Sequence, residues 1–414
     1  MTRLSAFLGL VLLASPVFGR GAEDPSSLLQ RFDLRLPQSR ESAARALATL
    51  GPDAMPRVFA LISSAAEGPR DESLARSFVY QPQAQLRGLF CSFTRSALPV
   101  GRRAPALLVM SQSGGVPEVE RCLDVAGAGG GDLQPELVHA LAAIFARDSD
   151  ACEHAFTIGR TIALPEGENL ARALAASHSG AAARALVRLA NARPTLSPIG
   201  FSCLLAEAEA LPRPVDPDLL GVVRELLGHE DHPAAQELCL LAGRFEDDDS
   251  VPVLIERISS QQASLRSNAL WSLHRITGLG LGPDAKAWGQ WYQDETKWWG
   301  ERSAAVFARL HSPDAGAQRR ALGELGARFW RRAQVSAELS EFLGRAERDG
   351  ARMACGLLAR LGCKTAAPAL EARLEDSDDT VRESARAALA SLGGKKVPAR
   401  KVGLPATARA QAAR

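Results

Sequence analysis

The stretch from Ser250 to Gly278, SVPVLIERISSQQASLRSNALWSLHRITG, returns later in the chain as AAPALEARLEDSDDTVRESARAALASLGG, Ala366 to Gly394. With Pro252 set on Pro368, Leu254 and Ile258 fall on Leu370 and Leu374. In the same register Leu265 and Arg266 fall on Val381 and Arg382, and Ala269, Leu273 and Ile276 on Ala385, Leu389 and Leu392. Self-similarity at this scale restricts the chain to a repeat array. Each copy reads as two helices. The first opens near a proline, which a first helical turn tolerates, and ends in a polar turn. The second carries apolar residues at i, i+4, i+8 and i+11, one stripe of a 3.6-residue helix.

Neither helix buries its stripe alone, and stacked neighbours do so together. The expected object is an all-α chain, an α-solenoid of antiparallel helix pairs. On Pro368, the turn aspartates Asp376, Asp378 and Asp379 and the pair Val381–Arg382, the pattern resembles the HEAT-repeat superfamily, best over residues 217–394. The Ser250 copy keeps Pro252 and Arg266 but has Ser-Ser-Gln-Gln where turn aspartates stand in the other. The resemblance implies a HEAT-like fold used as a protein-binding scaffold, and it brings no catalytic residue.

The prolines Pro194, Pro198, Pro212, Pro214 and Pro217 mark a seam. Before it, residues 20–212 read as a divergent helical repeat region, with Gly/Ser-rich breaks at Ser111–Gly115 and Gly127–Gly131 and helices over Gln83–Ala97 and Pro117–Ala126. Residues 213–393 read as the HEAT-like repeat domain, interrupted by a Trp-rich insertion at 279–300. No window alternates as a strand would.

The ends carry other signals. Arg3, the apolar run Leu4–Ala14 and the small residues Val17 and Gly19 read as a secretory signal over residues 1–19, cleaved after Gly19, so the mature protein is expected to be periplasmic or secreted. No later segment approaches a transmembrane length. Residues 394–414 hold six Lys or Arg and no acid, a composition expected to be disordered and capable of weak contact with anionic surfaces. The whole chain carries only +2, so the body lacks the basic excess that nucleic-acid binding needs. Seven cysteines lie far apart without a Cys-x-x-Cys, which reads as buried thiols; Cys355 and Cys363 form one local pair able in principle to bridge.

Candidate chemistry is sparse. His229 and His232, with Glu230 and Asp231 between them, form the one dense run of possible metal ligands, but they precede Pro233 in an apparent turn and lack a fourth ligand at fixed spacing. Gly278, Gly280 and Gly282 follow no strand, so they have no scaffold for a phosphate loop. No cofactor is implied. Four tryptophans and a tyrosine crowd the insertion: Trp288, Trp291, Tyr292 and Trp299 share one helical face, with Trp298 beside it. On the preceding helix Trp271 points about 200° away from Ala269, hence away from the repeat core, with His274 and Arg275 flanking it. Trp271, His274, Arg275, Trp288, Trp291 and Tyr292 are therefore the candidate binding residues for another protein, on the face expected to be concave. Two alternatives stand beside this reading. The insertion's aromatic face covers Trp271 as a local core, or the region holds the site of a ligand-binding or ligand-processing enzyme on the same fold.

Overall fold

The computed structural model describes residues 23–127, 130–229, 231–328 and 330–393. The expected signal 1–19 and the basic tail 394–414 lie outside the described residues. Among the described residues every regular element is an α- or 3-10 helix and none is a strand. The all-α reading holds, and among the described residues no helix is long and apolar enough to cross a membrane. The chain divides into two compact units, one ending at Val223 and one beginning at Arg224. The division falls inside the helix Pro217–Leu227, past the boundary that the prolines suggested.

In the first unit we label α1 Pro37–Ala48, α2 Gly68–Arg76, α3 Val100–Ser113, α4 Val116–Ala126, α5 Gln134–Arg147, α6 Ser149–Gly159, α7 Leu164–Ala176, α8 Gly180–Ala192 and α9 Ser197–Glu207. Helices α1, α2, α3, α5, α7 and α9 touch in succession as one row, and α4, α6 and α8 form a second. Antiparallel pairing therefore begins well before residue 213. Small residues let these helices pack closely: on α8 the buried face is Ala182, Ala183, Ala185, Leu186, Val187, Leu189 and Ala190, and a Cβ added at Gly159 on α6 would come within 2.9 Å of Leu189. Helix α3 fills a stretch for which the sequence offered no element, while Gln83–Cys91 stops short of Ala97.

The second unit continues with α10 Ala235–Phe245, α11 Val251–Arg257, α12 Ala263–Thr277, α13 Ala285–Glu301, α14 Ser303–Leu310, α15 Ala315–Leu325, α16 Arg332–Arg345, α17 Arg348–Leu361, α18 Ala367–Ala372 and α19 Asp379–Gly393. The pairs α11/α12, α14/α15, α16/α17 and α18/α19 pack within themselves. Second helices stack on second helices, α10 on α12 and α15 on α17 on α19. The insertion is one helix, α13, wedged against α11 and α14. The stripe read from the repeat is the core: Leu254, Leu265, Ala269 and Leu273 are fully buried, as are Leu370 and Ala385 in the other copy. Gly278 and Gly362 end α12 and α17 at φ 70, a left-handed cap that costs glycine no Cβ clash.

One device recurs in both units. Arg147 donates to Ser111 O at 2.7 Å, Arg193 to Gly159 O and Ile162 O at 2.9 and 2.8 Å, Arg257 to Leu227 O and Gly228 O at 2.9 and 2.8 Å, and Arg373 to Leu343 O and Ala346 O at 2.8 and 3.0 Å. Each guanidinium caps the end of a helix from an earlier pair, satisfying carbonyls that a helix terminus leaves orphaned. Arg257 and Arg373 stand at the same place after Pro252 and Pro368. Likewise Arg266 donates to Ser260 O at 2.8 Å and Arg382 to Asp376 O at 2.6 Å. The basic position keeps its backbone partner although the turn aspartates differ.

Candidate functional site

Trp271 projects from α12 and is 38% exposed, the one exposed tryptophan among the described residues. Its seat is Gly243 on α10. A Cβ there would meet Trp271 Cζ3 at 2.8 Å and Ser272 Oγ at 2.5 Å. Ser272 Oγ in turn donates to Cys239 O at 2.7 Å, so the two helices are closely joined at this level. The guanidinium carbons of Arg244 and Arg275 lie 5.6 and 5.7 Å from the indole centroid, within cation–π range. Arg275 Nε donates to Gly243 O at 3.1 Å, and Arg332 donates to Arg275 O at 2.7 Å while pairing with Glu246 at 3.1 Å. The surface thus offers an indole fixed by its own helix neighbours and bordered by cations. Arg244 and Arg332 were not among the residues picked from sequence, because each comes from another helix.

The remaining candidates separate from Trp271. Trp288 is fully buried, with Nε1 donating to Gly282 O at 2.9 Å, so it belongs to the core and cannot touch a partner. That corrects its place among the binding residues. His274 Nε2 bonds Leu281 O at 2.6 Å, which puts the proton on that nitrogen, and its ring stands 5.8 Å from Trp288. Its work is to fix the loop after α12. Trp291 and Tyr292, both half-buried, pack edge-on against Trp330 at 6.0 and 5.4 Å, and Trp299 does so at 6.5 Å. Trp330 is 2% exposed and comes from the loop before α16. The satellite-core alternative therefore describes α13, with the correction that Trp330, and not Trp271, lies at its centre. Trp298, off the face drawn from the sequence, is buried as well and stacks beneath Arg328 at 4.4 Å.

The same loop crosses back to the turn before α11. Arg331 N donates to Asp248 Oδ1 at 3.1 Å and Trp330 Nε1 to Asp248 O at 3.4 Å. Burial pushes the Asp248 carboxyl up to about 6, against the lowering pull of the Arg331 N–H and of Arg332. Beside it Asp247 accepts two bonds from Arg224, each 2.7 Å, a bidentate pair.

For metals, His229 is exposed and His232 Nδ1 accepts from Ala234 N at 3.1 Å, so that ring nitrogen is occupied as a helix cap. Among the described residues His311, Glu338 and Glu341 do bring one ligand atom each within 4.8 Å of one another. His311 bonds Glu338 at 3.0 Å and Glu341 pairs with Arg345 at 3.5 Å, which accounts for the grouping as a hydrogen bond and an ion pair. The seven thiols are free, and burial pushes Cys152 and Cys239 up to about 12 and Cys355 to about 11, leaving them protonated and inert.

Among curated proteins none matches the sequence. Solved structures that resemble the chain include an engineered protein (16% identity, 90% of this chain and 100% of that one, TM-score 0.24). Human deoxyhypusine hydroxylase in complex with glycerol is another (15%, 79% and 100%, TM-score 0.21). A third is Kap121p bound to Ste12p (13%, 89% and 45%, TM-score 0.31). The sequence itself gives the firmer assignment: residues 303–394, covering α14 to α19, match the family of HEAT repeats, so this segment is a HEAT-repeat array.

Proposed function

We propose that this protein is a non-catalytic scaffold that binds another protein through the row of second helices carrying Trp271. The observation that carries this reading is the indole itself. In the register of the two copies Trp271 falls on Ala387, so the repeat folds with a methyl group at that position and needs no ring there. A large aromatic group held rigidly at the surface beside arginine has the composition of a binding hot spot. Export through the N-terminal segment belongs to the same proposal, and the protein would meet its partner outside the cytoplasm.

A photo-crosslinking side chain placed at position 271 in the producing cells tests the contact. It should capture one dominant partner, and Trp271→Ala should weaken binding to that partner by about 2 kcal/mol while costing no more than about 1 kcal/mol of stability. Equal binding by the variant would remove Trp271 from the interface. For export, the purified mature chain should begin at Arg20; finding Met1 intact on cytoplasmic protein would refute it.

A further inference from the structure

We propose that Trp330, Arg331 and Arg332 form a pH-operated latch, which braces the pair α16/α17 against the turn before α11 in acid and lets go when Asp248 ionises. The latch is independent of any partner at Trp271. Repeats in a solenoid ordinarily touch only their neighbours, but these three residues pass over the pair α14/α15. Trp330 Nε1 and Arg331 N bond Asp248, 82 and 83 positions earlier in the chain. Arg332, the first residue of α16, donates to Arg275 O near the end of α12 and pairs with Glu246. Arg331 stands at φ 54, a strained conformation for a residue with a Cβ, so the surrounding contacts hold it there and release relieves it. Its guanidinium lies over the rings of Trp330 and Trp299, 4.8 and 5.5 Å from their centroids.

Asp248 is the point of release because of its company. Four carboxylates follow one another from Glu246 to Asp249. Asp247 holds Arg224 by two bonds of 2.7 Å, Asp249 stands 3.3 Å from the same guanidinium, and Glu246 is 3.1 Å from Arg332 and 3.9 Å from Arg275. Among the described residues Asp248 has no cation within ion-pair distance; its Oδ1 accepts the main-chain N–H of Arg331 at 3.1 Å. Burial raises its carboxyl to about 6 against the Arg331 N–H and the charges of Arg332 and Arg331, and Asp247 adds to the rise. The other titratable group facing it is Cys363, from the turn after α17, whose thiol burial pushes up, so it stays uncharged. Protonated, Asp248 still offers an acceptor to Arg331 N and has no charge to keep dry. Ionised, it gains by turning to water, which frees Arg331 and draws Trp330 away from Trp291, Tyr292 and Trp299. The latched state binds the proton more tightly than the released one, so the latch holds fully below about pH 4 and weakens as pH rises through about 6.

Hydrogen exchange of the indole N–H groups, followed by NMR on the full chain and expressed as protection over the intrinsic rate at each pH, tests the latch. Protection of Trp330 Nε1 should fall about tenfold between pH 5 and pH 7 and level off above. Trp288 Nε1, bonded to Gly282 O in the same unit, should keep its protection over that range and so separates local release from general loosening. Asp248→Asn, which retains an acceptor and cannot ionise, should hold Trp330 protected within about twofold from pH 5 to pH 7. Cys363→Ser should reproduce the parent profile, and it serves as the comparison if Asp248→Asn does not fold. Trp330 protection that is flat or rises with pH would overturn the latch. So would a fall shared by Trp288, a fall that persists in Asp248→Asn, or one that disappears in Cys363→Ser.

Discussion

The pairs α11/α12 and α18/α19 are built on one register, yet they differ in how completely they are enclosed. Leu273 and Ile276 are buried in the first, whereas Leu389 and Leu392, at the same places in the second, are half-buried. Their capping arginines differ in the same direction: Arg257 is buried and Arg373 is half-buried. The residue types are alike, so the difference comes from the neighbours. Helix α12 has α10 on one side and is followed by α13 and the Trp330 loop, while α19 is the last described helix. A repeat specifies its internal pairing, and what stands next to it specifies how much of its apolar stripe leaves water.

The largest test of that statement is removal of the neighbour's anchor. Trp330 touches Trp291, Tyr292 and Trp299 and bonds Asp248 O from a distant point in the chain. Trp330→Ala should cost about 3–5 kcal/mol in denaturant unfolding of the second unit, the range for truncating a buried large aromatic. A loss under about 1 kcal/mol would mean that the aromatic cluster does not hold α13 in place.

Next comes the capping pair. Arg257→Ala strips charged donors from Leu227 O and Gly228 O and should cost about 2–3 kcal/mol; Arg373→Ala, nearer to water, should cost about 1–2 kcal/mol. Equal losses would break the link drawn here between enclosure and the value of a cap. That link also shows what sequence reading could and could not supply. A proline followed five positions later by arginine stands in both copies and could have revealed the cap, since the alignment already placed Arg257 on Arg373. The pairing of helices in residues 65–131 was harder to see because Gly/Ser-rich breaks interrupt it and Pro105 stands inside α3, so the periodic contrast that marks a helix is weak there. The Trp330 contact was invisible for another reason. A helical wheel ranks residues of one helix against each other, and Trp330 belongs to none of the helices it joins.

Asp248 gives an effect of intermediate size that depends on pH. Its folded-state pKa of about 6 lies above the usual carboxylate value of about 3.9, so the folded protein holds the proton more tightly than the unfolded chain. Its favourable contribution is present below about pH 4 and is lost as pH rises through about 6. Asp248→Asn retains an acceptor for Arg331 N without the buried charge. It should raise stability by about 1–2 kcal/mol at pH 8 and by nearly nothing at pH 4. A variant less stable than the parent at pH 8 would show that the charge itself, through Arg331 and Arg332, secures the loop.

The smallest expected effect is also the most informative about function. Trp271 occupies the place of Ala387, and both positions are exposed. If the comparison of the two copies holds, α12 should accept alanine there as α19 does. Trp271→Ala forfeits contact with the Gly243 backbone and two cation–π interactions at a partly hydrated site, each worth about 0.5–1 kcal/mol. Alanine's better helix propensity offsets a few tenths. The net loss should stay near 1 kcal/mol, against several for Trp330→Ala, even though both remove the same side chain from the same unit. A loss as large as that of Trp330→Ala would make Trp271 a structural pin between α10 and α12 and leave the second-helix row without its proposed contact. A small loss, with the parent's fold intact, leaves an indole that the repeat does not need for its own stability.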